Sequence, residues 1–188
     1  MIKIGLTGSI ASGKTTASKY LSSRNGPLFN ADLVVKKLYQ KNSFKKIVKD
    51  TLKIKANKNF KKELKAKILK NINSLKKLEK LIHPLVRKEM DSFIKKNKDK
   101  KFLFFEIPLL IESNLIKKFD LIIFISSPRS LRLKRYKSKG GTKHLFDLLD
   151  GHQINEVRKK NMCDHIVVNN KSLFVLKKKL FNIIKLYE

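Results

Sequence analysis

The sequence predicts an α/β fold: a five-stranded parallel sheet flanked by helices, with a helical insert between strands. Two observations carry this. Short apolar runs recur at 2–6, 28–29, 102–107, 121–125 and 165–168, and the stretches between them have helical periodicity. The three later runs are continuous rather than alternating, which is the mark of strands buried on both faces of a helix-covered sheet.

Taken in order, Ile2-Lys3-Ile4-Gly5-Leu6 reads as a buried strand that enters a turn at Thr7-Gly8. A helix is expected from Gly13 or Lys14 to about Ser23, with Ala17, Tyr20 and Leu21 on its apolar face. Gly26-Pro27 breaks the chain, Leu28-Phe29 starts a brief second strand ending at Asn30-Ala31-Asp32, and Leu33 to Tyr39 reads as helix. From about Ser43 to Lys98, Ile47, Leu52, Ile54, Phe60, Leu64, Ile68, Leu75, Leu78 and Leu81 recur at helical spacing among lysines. His83-Pro84 predicts the start of a new helix, because proline is favoured at the first helical position; Val86, Met90, Phe93 and Ile94 form its stripe. Pro108 ends the strand Phe102–Ile107, and Ser172 is placed to cap a last helix carrying Leu173, Leu176, Leu180, Ile183, Ile184 and Tyr187.

Chemistry enters at Gly8-Ser9-Ile10-Ala11-Ser12-Gly13-Lys14-Thr15, the full G-x-x-x-x-G-K-[ST] loop between a strand and a helix. Its glycines let successive backbone N–H groups of Gly8, Ala11, Ser12 and Gly13 curl around phosphate oxygens, and the following helix adds its positive N-terminal dipole. In such a loop Lys14 reaches the β- and γ-phosphates of ATP, the Thr15 hydroxyl is a ligand for Mg²⁺, and Thr16 is placed to donate to the α-phosphate. The loop says nothing about the acceptor. No Asn-Lys-x-Asp guanine motif follows, and Phe105-Glu106-Ile107 lacks the Asp-Glu pair usual in motor ATPases, so small size and a single Asp after the second strand favour the P-loop kinases.

Asp32 lies where a strand ends near this loop, the region in which open parallel sheets place ligands. A carboxylate there could accept the proton of an attacking hydroxyl, or hold the Mg²⁺ shell, or it could simply cap the helix that begins at Leu33. Arg132-Leu133-Lys134-Arg135, followed by Lys137, Lys139 and Gly140-Gly141, has the character of a phosphate-covering lid, and Arg135 is the preferred cation because its fork suits phosphate. Asn169 and Asn170, after the last strand, are candidates for an adenine contact. His83, His144, His152 and His165 show no metal-site spacing, and Cys163 has no pattern of an activated thiol.

Composition limits partners. With 45 Lys+Arg against 15 Asp+Glu, the formal charge of +30 attracts polyanions. The lysines are spread over nearly every expected helix, and no nucleic-acid-binding module is visible, so dedicated nucleic-acid binding is not expected. One cysteine excludes an intrachain disulfide, and neither a secretory signal nor a membrane-spanning run is present. A cytoplasmic, membrane-free protein is expected, as a monomer or small homo-oligomer.

The chain resembles the dephospho-CoA kinase family from Ile4 to about Asn170. The resemblance rests on Leu6 to Thr16, Ala31-Asp32, Leu81-Ile82-His83-Pro84-Leu85-Val86, Pro108-Leu109-Leu110-Ile111-Glu112, Leu133-Lys134-Arg135, Gln153 and Asp164 to Asn170. It implies one P-loop kinase domain over 1–188: a core of 1–40, 100–135 and 162–188, a helical acceptor-binding insert at about 43–98, and a lid at about 135–160. It also implies ATP and Mg²⁺, with transfer to the ribose 3′-hydroxyl of dephospho-CoA. Asp32 would be the base and Arg135 a lid arginine; Arg135, Lys139 and Asn170 would join the loop at ATP; His83, Pro108, Leu109, Leu110 and Glu112, with Asp32, would line or support the acceptor site. Three departures stand out. Asn30-Ala31-Asp32 replaces the common Asp-Ala-Asp, Lys139 replaces a second lid arginine, and Asn57-Lys58-Asn59 replaces an acidic stretch. A kinase for another acceptor, such as a nucleoside monophosphate or shikimate, or a basic nucleic-acid-binding protein with an idle loop, are the competing readings.

Overall fold

A computed structural model describes residues 1–54 and 59–188. Five parallel strands, β1 (Ile2–Gly8), β2 (Leu28–Asn30), β3 (Phe102–Glu106), β4 (Leu121–Ser126) and β5 (His165–Val168), form one sheet in the order β2-β3-β1-β4-β5. β1 therefore lies between β3 and β4. Every residue of β3 and β4 is buried, as their unbroken apolar sequences require.

The chain divides into two compact units, Met1–Asn30 with Ile94–Glu188, and Ala31–Phe93. In the first, α1 (Lys14–Asn25) and α9 (Leu173–Lys185) cover one side of the sheet. Ala17 and Leu21 of α1 and Leu176, Leu180 and Ile184 of α9 pack with Ile4, Leu6, Phe104, Ile123, Ile125 and Val167. Burying each of the large side chains contributes roughly 1.5–3 kcal/mol. Ser172 caps α9 as expected, its hydroxyl accepting from the Val175 N–H. The stretch after β4 holds α6 (Arg129–Lys137), α7 (Lys143–His152) and the short α8 (Glu156–Lys160). Arg132 and Phe146 are buried between them, with the Arg132 guanidinium 5.5 Å from the Phe146 ring centre.

The second unit contains α2 (Ala31–Leu38), α3 (Asn42–Leu52), α4 (Phe60–Lys70) and most of α5 (Ile72–Lys96). Leu38, Phe44, Val48, Leu52, Leu64 and Leu78 form its own core. It starts at Ala31 rather than 43, so the helix after β2 clusters with the insert. His83-Pro84 does not start a helix. Pro84 lies inside the 25-residue α5, where the ring removes one intrahelical N–H, while Leu78, Val86 and Met90 keep one buried stripe through it. Asp32 occupies the first turn of α2 rather than its cap position. Of the stretch Asn57-Lys58-Asn59, the first two lie outside the described residues; Asn59 caps α4 by accepting from the Lys62 N–H.

Candidate active site

The loop between β1 and α1 is built by backbone conformations that its sequence permits. Gly8 has φ +149°, and a Cβ there would meet the Ile125 carbonyl oxygen at 2.2 Å; Gly13 has φ +102°, and a Cβ there would meet Asn169 Nδ2 at 2.2 Å. Ala11 holds a left-handed φ of +58° without being glycine. Such a residue persists only where its surroundings over-determine it.

Those surroundings are polar and come from the far end of the unit. The Ser12 carbonyl accepts from Asn169 Nδ2 at 2.8 Å and from Arg135 at 3.3 Å. Arg135 also donates to Ser127 Oγ at 3.1 Å and to the Asn169 carbonyl at 3.3 Å. Burial holds its guanidinium below the ordinary arginine pKa. The Ile10 N–H donates to Gln153 Oε1 at 3.2 Å, and its carbonyl accepts from Arg132 at 3.4 Å. Ser9 Oγ donates to Glu156, which also accepts from Ser126 Oγ at 2.6 Å. Burial raises the Glu156 pKa, but the bonds from Ser126 and Lys160 outweigh it and leave a net lowering.

Within the loop, Lys14 Nζ donates to the Gly8 and Ser9 carbonyls, each at 2.9 Å. Ser12 Oγ is buried and has no hydrogen-bond partner. Beneath lies Glu106, 1% exposed at the end of β3. Its carboxylate accepts from Thr15 Oγ1 at 2.5 Å, Ser18 Oγ at 2.8 Å and Asn30 Nδ2 at 2.5 Å. The pairing of Asn30 with Glu106 across β2 and β3 brings the last two together.

The other candidates are distributed as follows. Arg135 donates to the loop's Ser12 carbonyl, as does the Asn169 side chain, whereas Lys139 and Asn170 are exposed. Thr16 is exposed on the first turn of α1. Of the segment after β3, the Pro108 carbonyl accepts from Thr7 Oγ1 at 3.1 Å and Leu110 is wholly buried. The Glu112 carboxylate pairs with the fully buried Lys159 at 2.5 Å and accepts from the Ile154 N–H at 3.1 Å, which ties it to the α7–α8 segment. Asp32 and His83 belong to the second unit. Burial lowers the His83 pKa; Glu79 raises it and Arg87 lowers it further.

Sequence alone does not mark Arg132, Gln153, Glu156 or Glu106 as partners of the loop: Arg132 reads as one of several lid cations, and Glu106 as a lone acid in an otherwise apolar strand.

A glycine-rich anion cradle with lysine and threonine, at the end of the central strand of such a sheet, defines a P-loop nucleotide-binding protein. A family model described as dephospho-CoA kinase matches residues 2–174. The chain belongs to that family. The dephospho-CoA kinase of Zymomonas mobilis is 31% identical over 186 residues, covering 94% of this chain and 91% of its own length. That of Fusobacterium nucleatum is 32% identical over 182 residues, with 94% of each chain covered. Among solved structures, the dephospho-CoA kinase of Campylobacter jejuni is 26% identical, with a TM-score of 0.65, and covers 97% of this chain and 95% of its own. A Thermus thermophilus protein shares the fold at a TM-score of 0.80 and 22% identity, with 100% and 98% covered.

Proposed function

We propose that the chain transfers the γ-phosphoryl group of ATP to the ribose 3′-hydroxyl of 3′-dephospho-CoA, giving coenzyme A and ADP. Membership of the dephospho-CoA kinase family across residues 2–174 carries this reading, and the assembled P-loop supports it. The loop amides and Lys14 would bind the triphosphate. Lys14 now satisfies the Gly8 and Ser9 carbonyls, so a β/γ-phosphate oxygen would compete for the same ammonium protons.

Arg135, which donates to the Ser12 carbonyl, would stabilise the phosphoryl group as charge moves from the acceptor oxygen to the leaving oxygen, exchanging a protein acceptor for a phosphate oxygen. Asp32 would accept the hydroxyl proton as the 3′-oxygen bonds to the γ-phosphorus and the bond to the β-phosphate oxygen breaks. Glu112, clasped by Lys159, would keep the α7–α8 segment against the loop.

The residues fit Mg²⁺. The Thr15 hydroxyl and the Glu106 carboxylate offer hard oxygen donors side by side, while no cluster of three or more His, Cys, Asp or Glu able to hold a metal occurs among the described residues. The cation would thus rest on Thr15 and the nucleotide's own oxygens, where it would neutralise phosphate charge. No helix among the described residues is long and apolar enough to cross a membrane.

The test is an acceptor panel of 3′-dephospho-CoA, shikimate, a nucleoside and a nucleoside monophosphate, each with ATP and Mg²⁺. Coenzyme A should form, and Lys14→Ala should lower its rate by about 10²-fold or more. Preference for any other acceptor would remove the assignment.

A further inference from the structure

We propose that Arg132 is a positioning residue for the nucleotide loop: locked by Asp150, it holds the Ile10–Ala11 peptide in the orientation that phosphate binding requires. The inference rests on the P-loop reading above and extends it to a residue outside the motif.

Ile10 and Ala11 share one trans peptide, whose carbonyl and N–H point in opposite directions. Arg132 donates to that carbonyl at 3.4 Å, so the Ala11 N–H faces the other way. The torsion that follows is the left-handed φ of +58° at Ala11. Left free, an alanine would relax to negative φ, rotating this peptide and turning its N–H. Gln153 takes the Ile10 N–H at 3.2 Å, so both backbone polar groups of the residue before the strained position are fixed.

The arginine is itself immobilised. It is 5% exposed, donates to the Ser127 carbonyl at 3.1 Å, and meets Asp150 with both terminal nitrogens, at 2.5 and 3.3 Å. Its Nε, Nη1 and Nη2 are each engaged by protein acceptors, which suits Arg132 to holding the loop rather than to ligating phosphate. Asp150 and Gln153 sit within one turn at the end of α7, so one helix end supplies the lock for Arg132 and the acceptor for Ile10 N–H. The next carbonyl but one, that of Ser12, is pinned in the same manner by Arg135 and Asn169. The Ile10 and Ser12 carbonyls are thus both held by donors from outside the loop.

The test is direct binding of fluorescent N-methylanthraniloyl-ADP with Mg²⁺ and no acceptor, so that it stands whatever the acceptor proves to be. Arg132→Ala should weaken binding about tenfold, the cost of letting one left-handed residue relax. Asp150→Asn, which preserves shape but frees the arginine, should weaken it by a smaller factor. In turnover, the KM for ATP should rise while the KM for the acceptor at saturating ATP stays put. Should Arg132→Ala fail to fold, Arg132→Lys and Asp150→Asn carry the same comparison. Unchanged nucleotide affinity in folded variants, with only a lower Tm or a smaller active fraction, would assign Arg132 to packing alone and overturn the proposal.

Discussion

The Thr15 hydroxyl donates to the Glu106 carboxylate at 2.5 Å, joining the last residue of the nucleotide loop to the last residue of β3. Ser18 and Asn30 donate to the same group, so one buried acid anchors the start of α1 and the end of β2. Glu106→Ala should strand these donors and cost about 2–4 kcal/mol, or roughly 5–15 °C in Tm for a chain of this size. A thermal melt checks this, and a shift under 2 °C would contradict the anchoring role. The Mg²⁺ concentration needed for half-maximal rate should also rise.

Asp32→Ala and Asp32→Asn should each lower turnover by about 10²–10⁴-fold, the usual contribution of a positioned base. Binding of fluorescent ADP should be unaffected, because the residue is assigned to the acceptor's proton and not to the nucleotide. Near-normal turnover in either variant would leave Asp32 as a first-turn carboxylate favoured by the α2 dipole and nothing more.

Glu156 links the loop to the sheet through Ser9 and Ser126, and its pKa is lowered in the folded chain. A lowered carboxylate pKa stabilises the fold fully above the ordinary value of 4.5 and loses that contribution as pH falls through the folded value. Glu156→Gln should therefore reduce Tm at pH 7 and approach the parent as pH falls progressively below the ordinary value of 4.5. Parallel curves across that window would contradict the assignment.

Cys163 should be inert. Burial, with the Asp164 charge adding to it and Lys159 opposing, pushes its thiol pKa up to about 12, and its Sγ donates to the Lys159 carbonyl at 3.1 Å. An aromatic disulfide reagent at pH 8 should label it slowly in the folded protein and rapidly in denaturant. Equal rates would mean that the segment after α8 opens freely.

β3 and β4 were legible because strands buried on both faces leave continuous apolar runs, and the loop because its spacing encodes a backbone path. The same reading of 165–168 is corrected, since β5 is an edge strand whose Ile166 and Val168 are exposed. The continuity of α5 was not. Proline before an apolar stripe reads as a helix start, and only packing of Leu78, Val86 and Met90 along one line shows that the helix runs through it. Glu106 presented as a missing Asp-Glu pair because its partners stand 76 to 91 positions away and meet it only through strand register and the placement of α1. Arg132 illustrates the same limit. Nothing local separates a buried guanidinium from the solvated lysines around it until Asp150 is folded beside it.

The hydrogen bond from Asn169 to the Ser12 carbonyl spans 157 positions. During synthesis at about 5–20 residues per second, the loop that opens the chain would wait several seconds or more before the residue that fixes it emerges. Nascent chains ending before β5 should accordingly bind nucleotide poorly, however complete their loop sequence. Contacts of such long range close late and slow folding, which makes nucleotide affinity a sensor of whether the last strand has docked.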